Sequence, residues 1–120
     1  MKSRVFRLVA SVATLLGLAL AVPVLAAAPA QAASCPQSGP TFAQAGAFTY
    51  QAVNIRSGPT TGCVAVGLGY SSHNVTYRCY SEGTPVNGWS TWTYLTDNTT
   101  GVTGWSSDAF LAGGGSWYHC

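Results

Sequence analysis

Charge is what this 120-residue chain has least of: only 7% of its residues are Asp, Glu, Lys or Arg, and no lysine follows Lys2. Nucleic-acid binding that draws its affinity from neutralised phosphates needs many more cations, so that class of partner is excluded. Catalytic groups are equally scarce. Beyond residue 32 the acid–base candidates are Glu82, Asp97, Asp108, His73 and His119, all in or beside turn-like stretches or the tail. Hydrolysis needs an acid–base pair or an activated nucleophile, and no G-x-S-x-G, H-E-x-x-H or glycine-rich phosphate loop supplies one. There is no C-x-x-C, and His119-Cys120 alone lacks zinc-ligand spacing. The reading is a protein that is not an enzyme and carries no metal or cofactor.

The one long hydrophobic run stands at the front. Lys2, Arg4 and Arg7 precede an apolar stretch from Leu8 to Leu25, and Ala30-Gln31-Ala32 fits the small-x-small pattern before a cleavage site. Gly17 and Pro23 interrupt the stretch, which favours a cleaved signal peptide over residues 1–32 rather than a membrane anchor. Removing 32 residues from 120 leaves 88, with Arg56 and Arg78 against Glu82, Asp97 and Asp108, a net charge of −1. The basic balance belongs to the leader. No later run is long enough to span a bilayer, so the product is expected to be secreted, monomeric and free of the membrane after cleavage.

All four cysteines survive that subtraction. In a small exported chain an even cysteine count is normally a disulfide framework, and four cysteines allow three pairings. Cys63 to Leu68 and Asn74 to Tyr80 are strand-like runs on either side of a turn-like Gly69 to His73. A hairpin centred on Ser71 would set Cys63 opposite Cys79, leaving Cys35 to meet Cys120 where chain ends approach each other. The favoured pairs are therefore Cys63–Cys79 and Cys35–Cys120. This hairpin puts Val64 and Val66 on the face opposite to Val75 and Tyr77, so one core face requires a bulge near Gly67 or Gly69.

Residues 33–45 lack periodicity and read as a flexible arm held only by Cys35. Strands are expected near 48–55, 63–68, 74–80, 89–95 and 102–106, separated by turns at Ser57-Gly58-Pro59, Gly69 to Ser72, Glu82 to Gly88 and Asp97 to Gly101. Five short strands without a helix make an all-β barrel or sandwich. Residues 112–120 form a tail loosened by Gly113-Gly114-Gly115.

Two stretches carry a pattern. Ala52-Val-Asn-Ile-Arg-Ser-Gly-Pro-Thr-Thr61 resembles the opening strand and first loop of bacterial SH3-like (SH3b) domains. Gly101-Val-Thr-Gly-Trp-Ser-Ser-Asp-Ala-Phe-Leu111 is similar to that family's closing strand, with Ser106 in place of the usual apolar residue after the tryptophan. The resemblance covers about residues 46–111 and implies a small five-stranded SH3-like barrel that binds cell-wall peptidoglycan or a peptide. Within it, Val53, Ile55, Trp105 and Leu111 are assigned to the core, and Asp108 to the cap of a short helical turn delivering Phe110 and Leu111.

Aromatic residues are abundant where charge is not. Four Trp, six Tyr and three of the four Phe lie beyond the leader, more than so small a core encloses. Tyr70, Tyr80, Trp89, Trp92 and Tyr94 are the ligand-site candidates, with Tyr118 as a further exposed ring. Arg56 and Arg78 are read as solvating surface charges, able at most to steer an acidic group. The leading functional reading is a secreted non-catalytic module recognising a cell-wall glycan or peptide through these rings. A small effector, toxin or protease inhibitor, presenting loops 56–62 or 81–88 to an extracellular protein is the alternative. A hydrolase built on His73 or His119 needs a carboxylate within about 8 Å, the reach of a water-bridged hydrogen bond.

Overall fold

The computed structural model describes residues 35–120, so the leader read over 1–32 lies outside the described residues. In chain order come β1 (Gln44–Gly46), β2 (Val53–Arg56), β3 (Ala65–Gly69), β4 (Val75–Val86), β5 (Trp89–Asp97) and β6 (Val102–Ser107). Two 3-10 turns follow, Asp108–Phe110 and Ala112–Gly114. The strands pair antiparallel in one sheet of order β1-β4-β5-β6-β2-β3. The all-β expectation holds. The strand count is six rather than five, because part of the 33–45 arm becomes β1, and the sheet is not a closed barrel: β1 and β3 are its edges. No helix among the described residues is long and apolar enough to cross a membrane.

Alternation explains the strands. Val53 and Ile55 are buried while Asn54 is exposed, and Val75, Tyr77, Thr93, Leu95 and Asp97 follow the same two-residue rhythm. Asn87 and Gly88 both take positive φ, 49° and 84°, which is what a two-residue hairpin turn demands, and they join the two longest strands. On one face the core gathers Phe48, Val53, Ile55, Val75, Tyr77, Leu95 and Leu111. The Tyr77 hydroxyl lies 2.9 Å from the carbonyl oxygens of both Ala47 and Ala112 and accepts the Ala47 N–H at 3.2 Å, so one phenol ties two loop segments to β4. Burial pushes its pKa up, because phenolate would lose water in exchange for little.

The second face is covered in part. Register on β4 shifts at Arg78, with Tyr77 opposite Leu95 but Cys79 opposite Tyr94, and this bulge turns Cys79 away from the core. Tyr94 in turn sits opposite Trp105 and Trp92 opposite Ser107, placing all four on the outer face. Trp105 is 0% exposed, buried as expected, but its ring lies outside the cluster formed by Ile55, Tyr77 and Leu95. It packs against Tyr94, ring centroids 5.2 Å apart, and its indole Nε1–H donates to the Gln37 carbonyl at 2.8 Å. The arm is the lid over this ring. Gln37 N–H donates to the Ser57 carbonyl at 2.7 Å, and Gly39 runs so close to the second disulfide that a Cβ there would stand 2.7 Å from Cys79 Sγ. Cys35 is thus one of several ties that hold the arm.

From Gly104 to Ser107 strand β6 is buried on both faces, which accounts for its composition. A Cβ at Gly104 would stand 2.5 Å from the Arg56 carbonyl oxygen, so only glycine admits β2 there. The buried Ser106 hydroxyl donates to the Asn54 carbonyl at 2.9 Å.

The disulfides are Cys35–Cys63 and Cys79–Cys120, with Cα separations of 5.8 and 5.0 Å. The expected pairs, Cys63–Cys79 and Cys35–Cys120, are overturned. A strand has two hydrogen-bonding edges, and those of β4 are taken by β1 and β5 while β3 pairs with β2, so the hairpin centred on Ser71 does not form. Cys63 lies instead in an inward-folded turn with Gly58, Pro59 and Thr60 buried around it. Val64, Val66 and Leu68 consequently face solvent on and beside the edge strand β3. Non-reducing peptide mapping should return the Cys35–Cys63 and Cys79–Cys120 crosslinks; a Cys63–Cys79 crosslink would contradict the topology. Loop entropy for separations of 28 and 41 residues predicts that removing either bridge by paired Cys→Ala substitution lowers stability by about 3–4 kcal/mol in denaturant melts.

Candidate functional site

The outer face is only partly covered by the arm. Beyond Trp105 it opens into a groove of about 430 Å³. Asn54, Trp92 and Ser107 lie along it, with Tyr50 to Val53 and Phe110 on one side and Arg56, Thr61 and Val86 on the other. The aromatic side is built by backbone pairing. Thr49 N–H donates to the Phe110 carbonyl and Ala112 N–H to the Ala47 carbonyl, both at 2.9 Å, around a bridge between Phe48 and Leu111. Phe48 and Leu111 enter the core, while Tyr50 and Phe110 meet edge to face at 5.5 Å beside the groove. Ala52 has φ of +56°, a left-handed conformation that costs an L-residue roughly 1–2 kcal/mol and is held by the strands around it.

Asp108 fixes the turn that carries Phe110. Its two carboxylate oxygens accept the hydroxyls of Thr91 and Thr93, each at 2.6 Å, and Thr93 Oγ1 also accepts the Ser116 N–H at 2.9 Å. Burial pushes the Asp108 pKa above its usual value, and the two threonine hydroxyls partly offset the rise. The helical cap is Ser107 rather than Asp108: Ser107 Oγ accepts the Ala109 N–H at 3.2 Å, and Asp108 is the first residue of the turn.

The expected aromatic residues do not come together. Trp92 reaches the groove, but as a ring only 2% exposed, held by its Nε1–H donating to the Thr84 carbonyl at 2.8 Å. Tyr70 is half-buried against His73, Tyr80 against His119 and Tyr94 against Trp105. Trp89 is exposed at the far end of the β4–β5 hairpin, beside Gly114. None of these four lines the groove. Tyr118 is exposed and stacks on Phe42 at 4.8 Å, outside it. Tyr50, 57% exposed, and Phe110 were missed, since their meeting depends on pairing between two short non-adjacent segments. The Asn87-Gly88 turn signal does foretell the long hairpin that brings Val86 to the groove.

Both histidines lie beside a carboxylate, well within the reach that acid–base chemistry requires. His73 Nδ1 is 2.6 Å from Asp97 Oδ2, and His119 Nε2 is 3.1 Å from Glu82 Oε2. Asp97 Oδ1 accepts the backbone N–H groups of Thr99 and Thr100, so this carboxylate also shapes the β5–β6 turn. Neither pair lines the groove. Of the loops assigned to an effector, 56–62 buries Gly58 to Thr60 and exposes Thr61 and Gly62, while 81–88 is largely β4 itself. Among the described residues no group of three or more His, Cys, Asp or Glu is placed to hold a metal. No family model, curated protein or solved structure matches the chain.

The raised Asp108 pKa has a definite sign in stability. The native state keeps this proton to higher pH than the unfolded chain, so between the unfolded value and the raised native one it binds more protons, and stability falls as pH rises through that window. Denaturant melts of wild type and Asp108→Asn across weakly acidic pH should differ by that downward component, which the variant lacks. Asp108→Ala, which strands the buried Thr93 hydroxyl and the half-buried Thr91 hydroxyl, should cost about 2–3 kcal/mol.

Proposed function

We propose that this protein is a secreted, non-catalytic binding module of SH3-like descent that recognises bacterial cell-wall peptidoglycan or a peptide. The observation that carries the reading is the groove beside the Tyr50–Phe110 pair: concave, mixed apolar and polar, with Trp92 and Arg56 in its wall each held by a hydrogen bond to a backbone carbonyl. Rigid aromatic groups give large contact area at small entropic cost, and peptide and glycan ligands both use such surfaces. The two motif strands support the SH3-like part of the proposal, since β2 and β6 lie side by side with Arg56 opposite Trp105. Two disulfides in a domain this small suit an oxidising, extracellular compartment.

Sedimentation with purified cell-wall sacculi tests the proposal. Wild-type protein should pellet at low salt, Tyr50→Ala should lower the bound fraction at least fivefold, and Trp117→Ala, which removes an exposed ring outside the groove, should leave it unchanged. Protein wholly in the supernatant, or binding indifferent to Tyr50, would contradict it.

A further inference from the structure

Each acidic side chain among the described residues is engaged away from Arg56. Asp97 meets His73, Asp108 meets Thr91 and Thr93, and Glu82 meets His119. Arg56 forms no ion pair among the described residues; its one hydrogen bond runs from Nη1 to the Cys63 carbonyl at 3.0 Å. That carbonyl belongs to a disulfide-bonded residue in a buried turn, so the guanidinium is anchored at one nitrogen by a rigid acceptor. Among the described residues its other N–H donors meet no acceptor. Arg56 is also the one charged residue lining the groove. Arg78 differs: it lies outside the groove and spreads two nitrogens over Phe42 O and Thr96 Oγ1.

We infer that the groove takes a carboxylate-bearing peptide, with Arg56 as the residue that binds the carboxylate and the Tyr50–Phe110 pair holding a neighbouring apolar side chain. The argument is charge complementarity. A positioned guanidinium with spare donors matches the fork of a carboxylate, and no protein acid competes for it. The polar side chains of Asn54 and Thr61 in the same groove can meet the peptide's own amides, and the aromatic pair supplies the apolar contact. This inference rests on the preceding reading that the groove is the ligand site. It adds the chemical class of the ligand and reassigns Arg56 from a solvating charge to a specificity residue.

Two-dimensional NMR titration of the disulfide-bonded protein tests it with three probes: N-acetyl-Gly-Ala-Phe as the free acid, the same peptide as its terminal amide, and N-acetyl-Gly-Glu-Phe amide. At least one carboxylate peptide should bind about tenfold tighter than the uncharged amide, with shifts centred on Tyr50, Asn54, Arg56 and Phe110. The tighter of the two tells whether a terminal or a side-chain carboxylate is read. Arg56→Gln should abolish the preference while the Leu95 and Tyr77 amides keep their native shifts. Arg56→Lys, which keeps the charge without the planar fork, should retain part of it and serves if the glutamine variant fails to fold. Equal affinity of all three peptides for the groove overturns the carboxylate role and leaves the groove reading standing. No shift in the groove with any peptide at millimolar concentration, alongside Tyr50-independent binding to sacculi, overturns both.

Discussion

The indole of Trp105 lies on the face of the sheet that would otherwise meet water, and the arm before β1 is what covers it. A tryptophan hides roughly 200 Å² of surface, worth about 5 kcal/mol when removed from water, provided its N–H finds an acceptor. The Gln37 carbonyl is that acceptor, 2.8 Å away, on an arm with no regular structure between Cys35 and β1. Such a segment would gain little by lying down on its own, because ordering its backbone costs about 1–2 kcal/mol per residue. The Cys35–Cys63 bridge lowers that cost by fixing one end, β1 fixes the other, and the Cys79–Cys120 bridge sits beneath Gly39 between them.

Sealing one part of the outer face leaves the rest as the groove. Arg56 and Trp105 face each other across β2 and β6, and Trp92 and Ser107 across β5 and β6, so the covered and open regions share one continuous sheet. The same bridge that secures the arm also holds the turn whose carbonyl positions Arg56. On the other side, Asp108 fixes the turn that delivers Phe110. The groove's aromatic and cationic sides therefore have separate structural supports, a carboxylate with two threonines for one and a disulfide turn for the other.

Much of this sheet is legible from residue order alone. Alternation locates β2 and the start of β4, and turn residues mark the breaks between strands except at Glu82 to Gly88, where β4 runs on to Val86 and only Asn87-Gly88 turns. The failures have particular physical sources. Burial of Trp105 is legible but its face is not, because the run Gly104 to Ser107 is buried without alternation to say which side the ring serves. The Arg78 bulge reverses the facing of every later β4 residue, so Cys79 could not be placed by counting from Val75. Pairing Cys63 with Cys79 assumed that chain-adjacent strands are sheet neighbours, and β3 and β4 are not. The candidate site was less legible still: of five aromatic residues chosen for it, Trp92 alone reaches the groove, because exposure of a ring depends on which distant segment lies over it.

The most direct test of this account is hydrogen exchange at the Trp105 indole Nε1–H, measured against the Leu95 backbone amide within the same protein. With both bridges intact, the indole should exchange nearly as slowly as Leu95, since the arm opens only when the sheet does. In the Cys35→Ala/Cys63→Ala variant the indole should become at least tenfold faster relative to Leu95, whatever the fall in overall stability. An indole that exchanges freely in the intact protein, or a ratio unmoved by loss of the bridge, would contradict the claim that the tethered arm seals the sheet.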